Sequence, residues 1–269
     1  TLADSFISPK KLKLNIPKTE LICNFCSKCN HLQLKQSFKS EIRYNLVDYS
    51  YTSSNSKKIR NYWDKYFTNI NKKILSDFNI LEIGANDGYL LSKFRKYTQN
   101  LYAFEVSKKM HQHLTKNKIK SFNLPIEKAT NQINRKLKNS VDIIIANNVL
   151  NHSDNPRKFF KNISSYMKQD GTAIIEIPYS LWMLEKYKFD LIYLEHINYF
   201  SISSIKTLAS EFNLNIEKLK FKNYHGKMMR VYLKKNKVNN KYKENNKYKE
   251  NILKEKKYFR NLNIFINFN

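Results

Sequence analysis

Between residues 79 and 233, short apolar runs alternate with amphipathic stretches of helical period, and this pattern constrains the fold more than any other feature. Strands that alternate with helices build βαβ units, whose strands lie parallel in one sheet covered by the helices. The sequence therefore predicts a Rossmann-like α/β domain with a mostly parallel seven-stranded sheet. The predicted strands are Ile80–Ile83, Leu101–Glu105, Ile119–Phe122, Val141–Ala146, Thr172–Ile177, Asn215–Phe221 and Met229–Leu233. A helix is predicted within 41–76.

Glycine is scarce in this chain, and two of its four glycines, Gly84 and Gly88, lie in one loop between the first predicted strand and a helix. Such a loop lets the backbone approach a ligand closely and points helix N–H groups at it. It is neither a G-x-G-x-x-G fingerprint nor a P-loop. Glu82 precedes the loop, and Glu105 ends the second strand, where doubly wound folds hold a ribose diol. This combination fits S-adenosylmethionine (SAM) better than NAD. The alternative is a glycine turn with a solvated glutamate.

Further candidate residues follow the later strands of the sheet. Ligands of open α/β sheets bind beyond the carboxyl ends of the strands, which places Asn147 and His152 beside the reactive end of a cofactor. An imidazole next to a carboxylate and a phenol, as in 193–196, is a candidate general base, with a surface salt bridge as the alternative. The predicted cofactor residues are Glu82, Gly84, Asn86, Asp87, Gly88, Glu105, Asn147 and Asn148. The Asn/Asp-Pro-Pro-Tyr motif of base-directed methyltransferases is absent.

The net charge of +27 indicates either a polyanionic partner or a coding bias toward lysine. Only seven of the 49 basic residues are arginine, the residue that nucleic-acid sites favour for bidentate contacts. A nucleic-acid partner is therefore not expected. No run reaches the ~20 apolar residues that a membrane span needs, and the start does not read as a signal peptide, so the expected location is the cytoplasm. The three cysteines do not form a disulfide scaffold.

The run from Tyr49 to Leu233 resembles the SAM-dependent C-methyltransferases that act on nucleotide-linked deoxy sugars. The matching segments are YSYTSSNS (49–56), LEIGANDGYLL (81–91), ANNVLNHSDN (146–155), EIPY (176–179), FDLIYLEHINYFS (189–201) and HGKMMRVYL (225–233). The resemblance implies a class I methyltransferase fold and methylation at C3 of a 4-keto-6-deoxy sugar. It departs from the family at Leu194, where histidine is usual, and at Lys227–Met229, where Gly-Ser-Leu is usual.

The resemblance also implies roles for individual residues. His196 is the expected base, with Glu195 fixing its tautomer or charge, while Tyr193 and His152 hydrogen-bond the developing oxyanion or sugar hydroxyls. The implied substrate-binding residues are Tyr49, Tyr51, Tyr199, His225 and Arg230. Other readings remain open, namely methyl transfer to another small molecule, a degenerate non-catalytic fragment, or a Lys-rich nucleic-acid-binding protein on this fold.

Three domains are expected from the resemblance. Residues 1–40 correspond to half of a small zinc-ribbon-like module, in which Cys26 and Cys29 are expected metal ligands and Cys23 an additional thiol. A closed structural zinc site needs four ligands, and the family's early Cys pair would precede Thr1, so zinc depends on residues upstream. Residues 41–233 form the methyltransferase domain with its N-terminal helical segment. Residues 234–269 are a Lys/Asn-rich linker and the start of a C-terminal domain.

Overall fold

The computed structural model describes residues 5–6, 19–38, 43, 48–49, 51–70, 74–224, 226–236 and 248–266. The strands are β1 (Ser5–Phe6), β2 (Cys23–Cys26), β3 (His31–Leu34), β4 (Asp48–Tyr49), β5 (Ile80–Ile83), β6 (Leu101–Phe104), β7 (Lys120–Phe122), β8 (Val141–Asn147), β9 (Met167–Pro178), β10 (Asn198–Tyr199), β11 (Leu214–Asn223) and β12 (Lys227–Lys235). The helices are α1 (Lys57–Ile70), α2 (Tyr89–Ser92), α3 (Lys108–Lys116), α4 (Asn131–Leu137), α5 (Pro156–Tyr166), α6 (Ser180–Glu185), α7 (Ile202–Glu211) and α8 (Lys249–Ile266).

All seven predicted strands join one sheet, in the order β11-β12-β9-β8-β5-β6-β7. Five of them, from β9 to β7, are parallel, while β11 and β12 form an antiparallel hairpin that pairs with β9. The predicted Rossmann-like, mostly parallel seven-stranded sheet is therefore confirmed. The largest boundary difference is at β9, which begins at Met167 rather than Thr172, because the chain pairs with Val141 before a register shift.

The core consists of two layers, one on each face of the sheet. Side chains alternate along β8, so that Ile143 and Ile145 face one layer while Ile144 and Ala146 face the other. The first layer includes α1, which contributes Trp63 and other aromatic residues. Both faces of the central strands are buried, which is why they read as continuous apolar runs in the sequence. The sheet thus fixes the carboxyl ends of its parallel strands at one edge.

The helix predicted within 41–76 is shorter than expected. It runs from Lys57 to Ile70, and the described residues before it include strand β4 and a turn at 53–56. Ser56 accepts a hydrogen bond from the Ile59 amide, at 3.3 Å, which terminates the helix at its amino end. The residues immediately before α1 are not helical, and they extend across the carboxyl edge of the sheet.

The N-terminal hairpin and the last helix both pack against the domain that carries the large sheet. Strand β3 pairs with β2 on one side and with β10 on the other. Helix α8 contacts α7 through Glu255, whose carboxylate accepts the Ile202 and Ser203 amides at 2.7 and 2.9 Å. Phe259 of α8 is buried and stacks on Phe25 of β2. Among the described residues, no helix has both the length and the apolar character that a membrane crossing requires.

Candidate active site

The glycine loop after β5 turns sharply at the carboxyl edge of the sheet. Gly84 and Gly88 have φ angles of +68° and +72°, a region that residues with a Cβ rarely adopt. A Cβ on Gly84 would lie 3.0 Å from Cγ2 of Val149. The Gly84 amide donates to the Phe104 carbonyl at 2.8 Å, which holds the loop over the end of β6. The loop backbone therefore lines a cleft that a larger side chain would fill.

Two buried carboxylates, Glu82 and Glu105, flank this loop. Glu105 accepts the backbone amides of Asn86 at 2.7 Å and Ser107 at 2.8 Å. Burial raises its pKa in spite of these bonds. Burial, followed by the nearby Asp87 carboxylate, raises the pKa of Glu82 well above its ordinary value. Glu105 thus orients the glycine loop by accepting the Asn86 amide. Its role in holding a ribose stays a prediction.

A cavity of about 260 Å³ opens beside the loop. Its walls are mostly apolar, and its polar lining includes Glu127, His152 and Asp154. The apolar lining comprises Ile83, Phe104, Val106, Leu124, Pro125, Ile126, Val149 and Phe159. The segment after β7, 124–128, was not among the predicted site residues. Its position beyond the carboxyl end of a parallel strand was the signal that could have found it.

Asn147 and Asn148, at the end of β8, behave differently. Asn148 has a φ of +50°, and its amide donates to the Glu176 carbonyl at 2.7 Å. The side-chain amide of Asn147 is buried, and within the described part of the chain neither its oxygen nor its nitrogen has a hydrogen-bond partner. Buried amide groups are normally bonded, so this side chain has hydrogen-bonding capacity left for a polar group of a ligand.

The segment 51–54, which we call the strap, is tied to the glycine loop. The Ser53 amide donates to Oδ1 of Asn86 at 2.9 Å, and the Ser53 hydroxyl donates to Asp87 at 2.5 Å. The Ser54 amide donates to the second Asp87 oxygen at 2.9 Å. Asn86 and Asp87 were predicted to bind cofactor directly, and that role stays a prediction. Their described contacts hold the strap across the loop.

A cluster of one phenol and two imidazoles lies next to the cavity. The Tyr193 hydroxyl is 2.6 Å from Nε2 of His196, and Nδ1 of His196 is 3.3 Å from the Leu191 carbonyl. These contacts define a neutral ring that donates from Nδ1 and accepts at Nε2. The role of Glu195 in fixing the tautomer or charge stays a prediction. The ring of His152, which lines the cavity, meets the His196 ring edge-on with 4.9 Å between centroids.

The electrostatics of the cluster favour neutral imidazoles. Burial lowers the pKa of His196 to about 4. Burial, followed by repulsion from His196 and Arg43, holds the pKa of His152 well below its ordinary value. Both rings are therefore uncharged near neutral pH and able to accept or donate a proton. Glu195, the residue before His196, is also buried.

Arg230 belongs to a buried ion pair. Its Nε donates to Glu176 at 2.5 Å, its Nη2 lies 3.1 Å from the Tyr62 hydroxyl, and its guanidinium stacks over the Tyr66 ring at 3.7 Å. The residue is 1% exposed. The substrate contact predicted for Arg230 stays a prediction. In the structure the guanidinium anchors α1, through Tyr62, to strands β9 and β12.

The other predicted substrate residues have different positions. Tyr51 lies in the strap, where its carbonyl accepts from the Asn86 side chain at 3.1 Å. Tyr199 is buried on β10 in the small core around the N-terminal hairpin. Tyr49 lies in β4, opposite Ser5, and its side chain is outside the described part of the structure. His225 also falls outside the described residues.

The cysteines lie on the β2–β3 hairpin. Cys26 ends β2 and Cys29 lies in the turn of the hairpin, where the Asn30 amide donates to the Cys26 carbonyl at 2.8 Å. Burial raises the pKa of Cys29 to about 11, and the Cys29 backbone lowers the pKa of Cys26. Within the described ranges no three histidine, cysteine or acidic residues are grouped as metal ligands. Among the residues that the structure describes, the predicted zinc site therefore has two adjoining thiols and no further ligands of the kind that a closed site needs.

A sheet of this order, with a glycine loop after its first parallel strand and a buried acid after the second, defines a class I SAM-dependent methyltransferase. The family described as "Methyltransferase domain" matches residues 53–219, which is more than half of the chain. The chain belongs to this family, and it is a SAM-dependent methyltransferase.

Individual relatives have low sequence identity to this chain. A C-methyltransferase of Streptomyces niveus, NovU, is 28% identical over 81 residues, which is 30% of this chain and 19% of that protein. The solved structure of YcgJ from Bacillus subtilis is 14% identical, covers 65% of this chain and 98% of its own, and gives a TM-score of 0.53. Magnesium protoporphyrin IX methyltransferase from Synechocystis, solved with bound SAH, is 12% identical, covers 66% of this chain and 83% of its own, and gives 0.51. These two structures share the fold.

Proposed function

We propose that this chain transfers a methyl group from SAM to C3 of a nucleotide-linked 4-keto-6-deoxy sugar. The observation that carries the proposal is the contact between the half-buried Tyr193 hydroxyl and the buried, neutral His196 ring, next to a second imidazole that lines the cavity. Such a cluster serves a reaction that begins with removal of a proton from carbon. The Streptomyces niveus relative NovU is a C-methyltransferase, and C-methyl transfer is a reaction of the same type.

The cavity has the features that the cofactor requires. Its apolar walls, formed by Val106 and the segment after β7, fit an adenine ring, and the Glu127 carboxylate would accept from the exocyclic amine. Gly84 would let the amino-acid part pass close to the loop backbone. The partnerless amide of Asn147 would bind a polar group of the same ligand. When bound, SAM supplies an electrophilic methyl group.

The protein's own residues would generate the nucleophile. A carbon next to a ketone becomes nucleophilic when its proton is removed and the resulting oxyanion is stabilised. The Tyr193 oxygen would take that proton while its own hydroxyl proton passes to Nε2 of His196, at 2.6 Å. The imidazolium so formed is stabilised at Nδ1 by the Leu191 carbonyl. His152, kept neutral by burial that lowers its pKa, lines the cavity and would bind a sugar hydroxyl there.

Proton exchange tests the first half of this reaction without methyl transfer. The wild-type protein is incubated in D₂O with the nucleotide-linked 4-keto-6-deoxy sugar and S-adenosylhomocysteine, and deuterium at C3 is followed by NMR. We expect exchange in the wild type and its loss in His196→Gln, with cofactor affinity unchanged by calorimetry. The matched control is His113→Gln, because His113 is an exposed imidazole on α3.

Methyl transfer tests the second half. With SAM labelled at its methyl carbon, we expect the label at C3 of the same sugar and no label in the His196→Gln reaction. If the wild type catalyses neither deuterium exchange nor methylation of the sugar, the proposed substrate is contradicted. Methylation of a different small ketone under those conditions would support the other methyltransferase reading and leave the Tyr193–His196 assignment standing.

A further inference from the structure

Arg43 makes several hydrogen bonds next to the candidate site, although it was not among the predicted site residues. The residue is 0% exposed. Its Nε donates to the Phe38 carbonyl at 2.7 Å, and its Nη1 donates to the carbonyls of His152 at 3.0 Å and Glu195 at 3.3 Å. Its Nη2 donates to the Asp154 carboxylate. One guanidinium therefore joins the segments that follow β8 and precede β10.

These contacts suit a planar fork. A guanidinium presents five N–H donors in fixed directions, whereas an ammonium is a point charge on a flexible stem. A buried cation is costly unless it is paired, and Asp154 supplies the matching charge. Because Arg43 binds the backbone of His152 and of the residue before His196, it fixes the separation of the two imidazoles from behind.

We propose that Arg43 is a positioning residue that aligns His152 with the Tyr193–His196 pair. The inference rests on the proposed function, because alignment matters only if the imidazoles handle a proton. Arg43 does not reach the reacting atoms. It acts by holding two backbone carbonyls that lie 43 positions apart in the sequence, at 152 and 195, on one rigid group.

Several charged or titratable groups surround His152. The His196 ring lies edge-on to it, the Arg43 guanidinium contacts its carbonyl, and Asp154 neutralises that guanidinium. Glu127 accepts from the Ser153 hydroxyl on the next residue. Glu195 approaches through its backbone. Removing Arg43 would therefore remove a positive charge that opposes protonation of His152, and the titration of that ring would move upward.

The test compares Arg43→Lys, which keeps the charge and loses the fork, with Arg43→Ala, which leaves a cavity that free guanidinium ion can enter. We expect each to lower kcat for sugar methylation by about 100-fold, the cost of an ångström-scale misplacement, with SAM affinity unchanged. Added guanidinium is expected to restore activity to Arg43→Ala only. Arg157→Ala is the matched control, because Arg157 is exposed and pairs with Glu211.

A readout that needs no substrate separates this proposal from the proposed function. In NMR titrations of the free protein, Arg43→Ala is expected to raise the midpoint of His152, and cross-peaks between the His152 and His196 rings are expected to weaken in both Arg43 variants. If the wild type methylates no sugar but these ring changes occur, the proposed function fails and the positioning role stands. If the Arg43 variants keep wild-type kcat and ring cross-peaks, the positioning role is overturned.

The Asp154→Asn variant covers the case in which the Arg43 variants do not fold. Asparagine keeps an oxygen acceptor for Nη2 and removes the paired charge, so the guanidinium is held less firmly. We expect a smaller loss of kcat, about tenfold, with normal SAM affinity and weakened cross-peaks between the two rings. Wild-type kcat together with unchanged ring cross-peaks in Asp154→Asn would overturn the proposal.

Discussion

Acid should destabilise this protein through His196, and the size of the effect follows from the burial of that ring. Burial lowers the pKa of His196 from 6.5 to about 4. As the pH falls below 6.5, the unfolded chain takes up a proton at this residue while the folded chain does not. The folded state therefore loses stability progressively between pH 6.5 and pH 4. From pH 7 to pH 5 the His196 contribution to the free energy of unfolding falls by about 2 kcal/mol.

The pH dependence of the wild-type free energy of unfolding does not by itself give the His196 contribution. Burial raises the pKa of Glu82, Glu105 and Glu127, and those carboxyls change stability in the opposite direction as the pH falls. The measurement is therefore a difference between variants. We expect the wild type to lose about 2 kcal/mol more than His196→Asn between pH 7 and pH 5.

Urea unfolding at both pH values, followed by tryptophan fluorescence, gives the four free energies that the comparison needs. His113→Asn, at an exposed imidazole, is the matched control and should keep the wild-type dependence on pH. Equal losses for the wild type and His196→Asn would refute the reasoning, because the ring would then be as easily protonated in the folded state as in the unfolded chain.

Two other substitutions test the site and its support. Gly84→Ala places a Cβ 3.0 Å from Val149 in a loop with φ of +68°, so calorimetry should show at least about tenfold weaker SAM binding, and unchanged affinity would contradict the cofactor assignment. Arg230→Met leaves the fully buried Glu176 without its cation, and chemical denaturation should show a loss of about 3–5 kcal/mol. A loss under 1 kcal/mol would show that Tyr62 alone suffices to satisfy that carboxylate.

The sequence was sufficient to predict the sheet because the signal for each strand is local. A run such as Ile80–Ile83 is buried on both faces, and its apolar character can be read without knowing its neighbours. The glycine loop could also be predicted from local sequence, because two of the four glycines lie between a predicted strand and a predicted helix. By contrast, β10 has two residues and is defined only by its pairing with β3.

The parts of the site that sequence reasoning missed depend on distant partners. Arg43 binds carbonyls of residues 109 and 152 positions away, and nothing near it in the chain marks it as buried. The family resemblance implied that Arg230 binds substrate, whereas its ion pair with Glu176, which forms across the β9–β12 pairing, could not be predicted from the sequence. Such contacts become visible only when strand order and register are known.

The pairing of β3 with β10 has a consequence for how the protein is made. His31 and Asn198 bond although 167 positions separate them. Chains emerge from the ribosome amino end first, so the outer edge of β3 stays unpaired until most of the protein has been synthesised. An open strand edge is a template for pairing with other chains. The nascent protein is therefore most exposed to aggregation late in translation, just before the segment that carries His196 arrives and closes the edge.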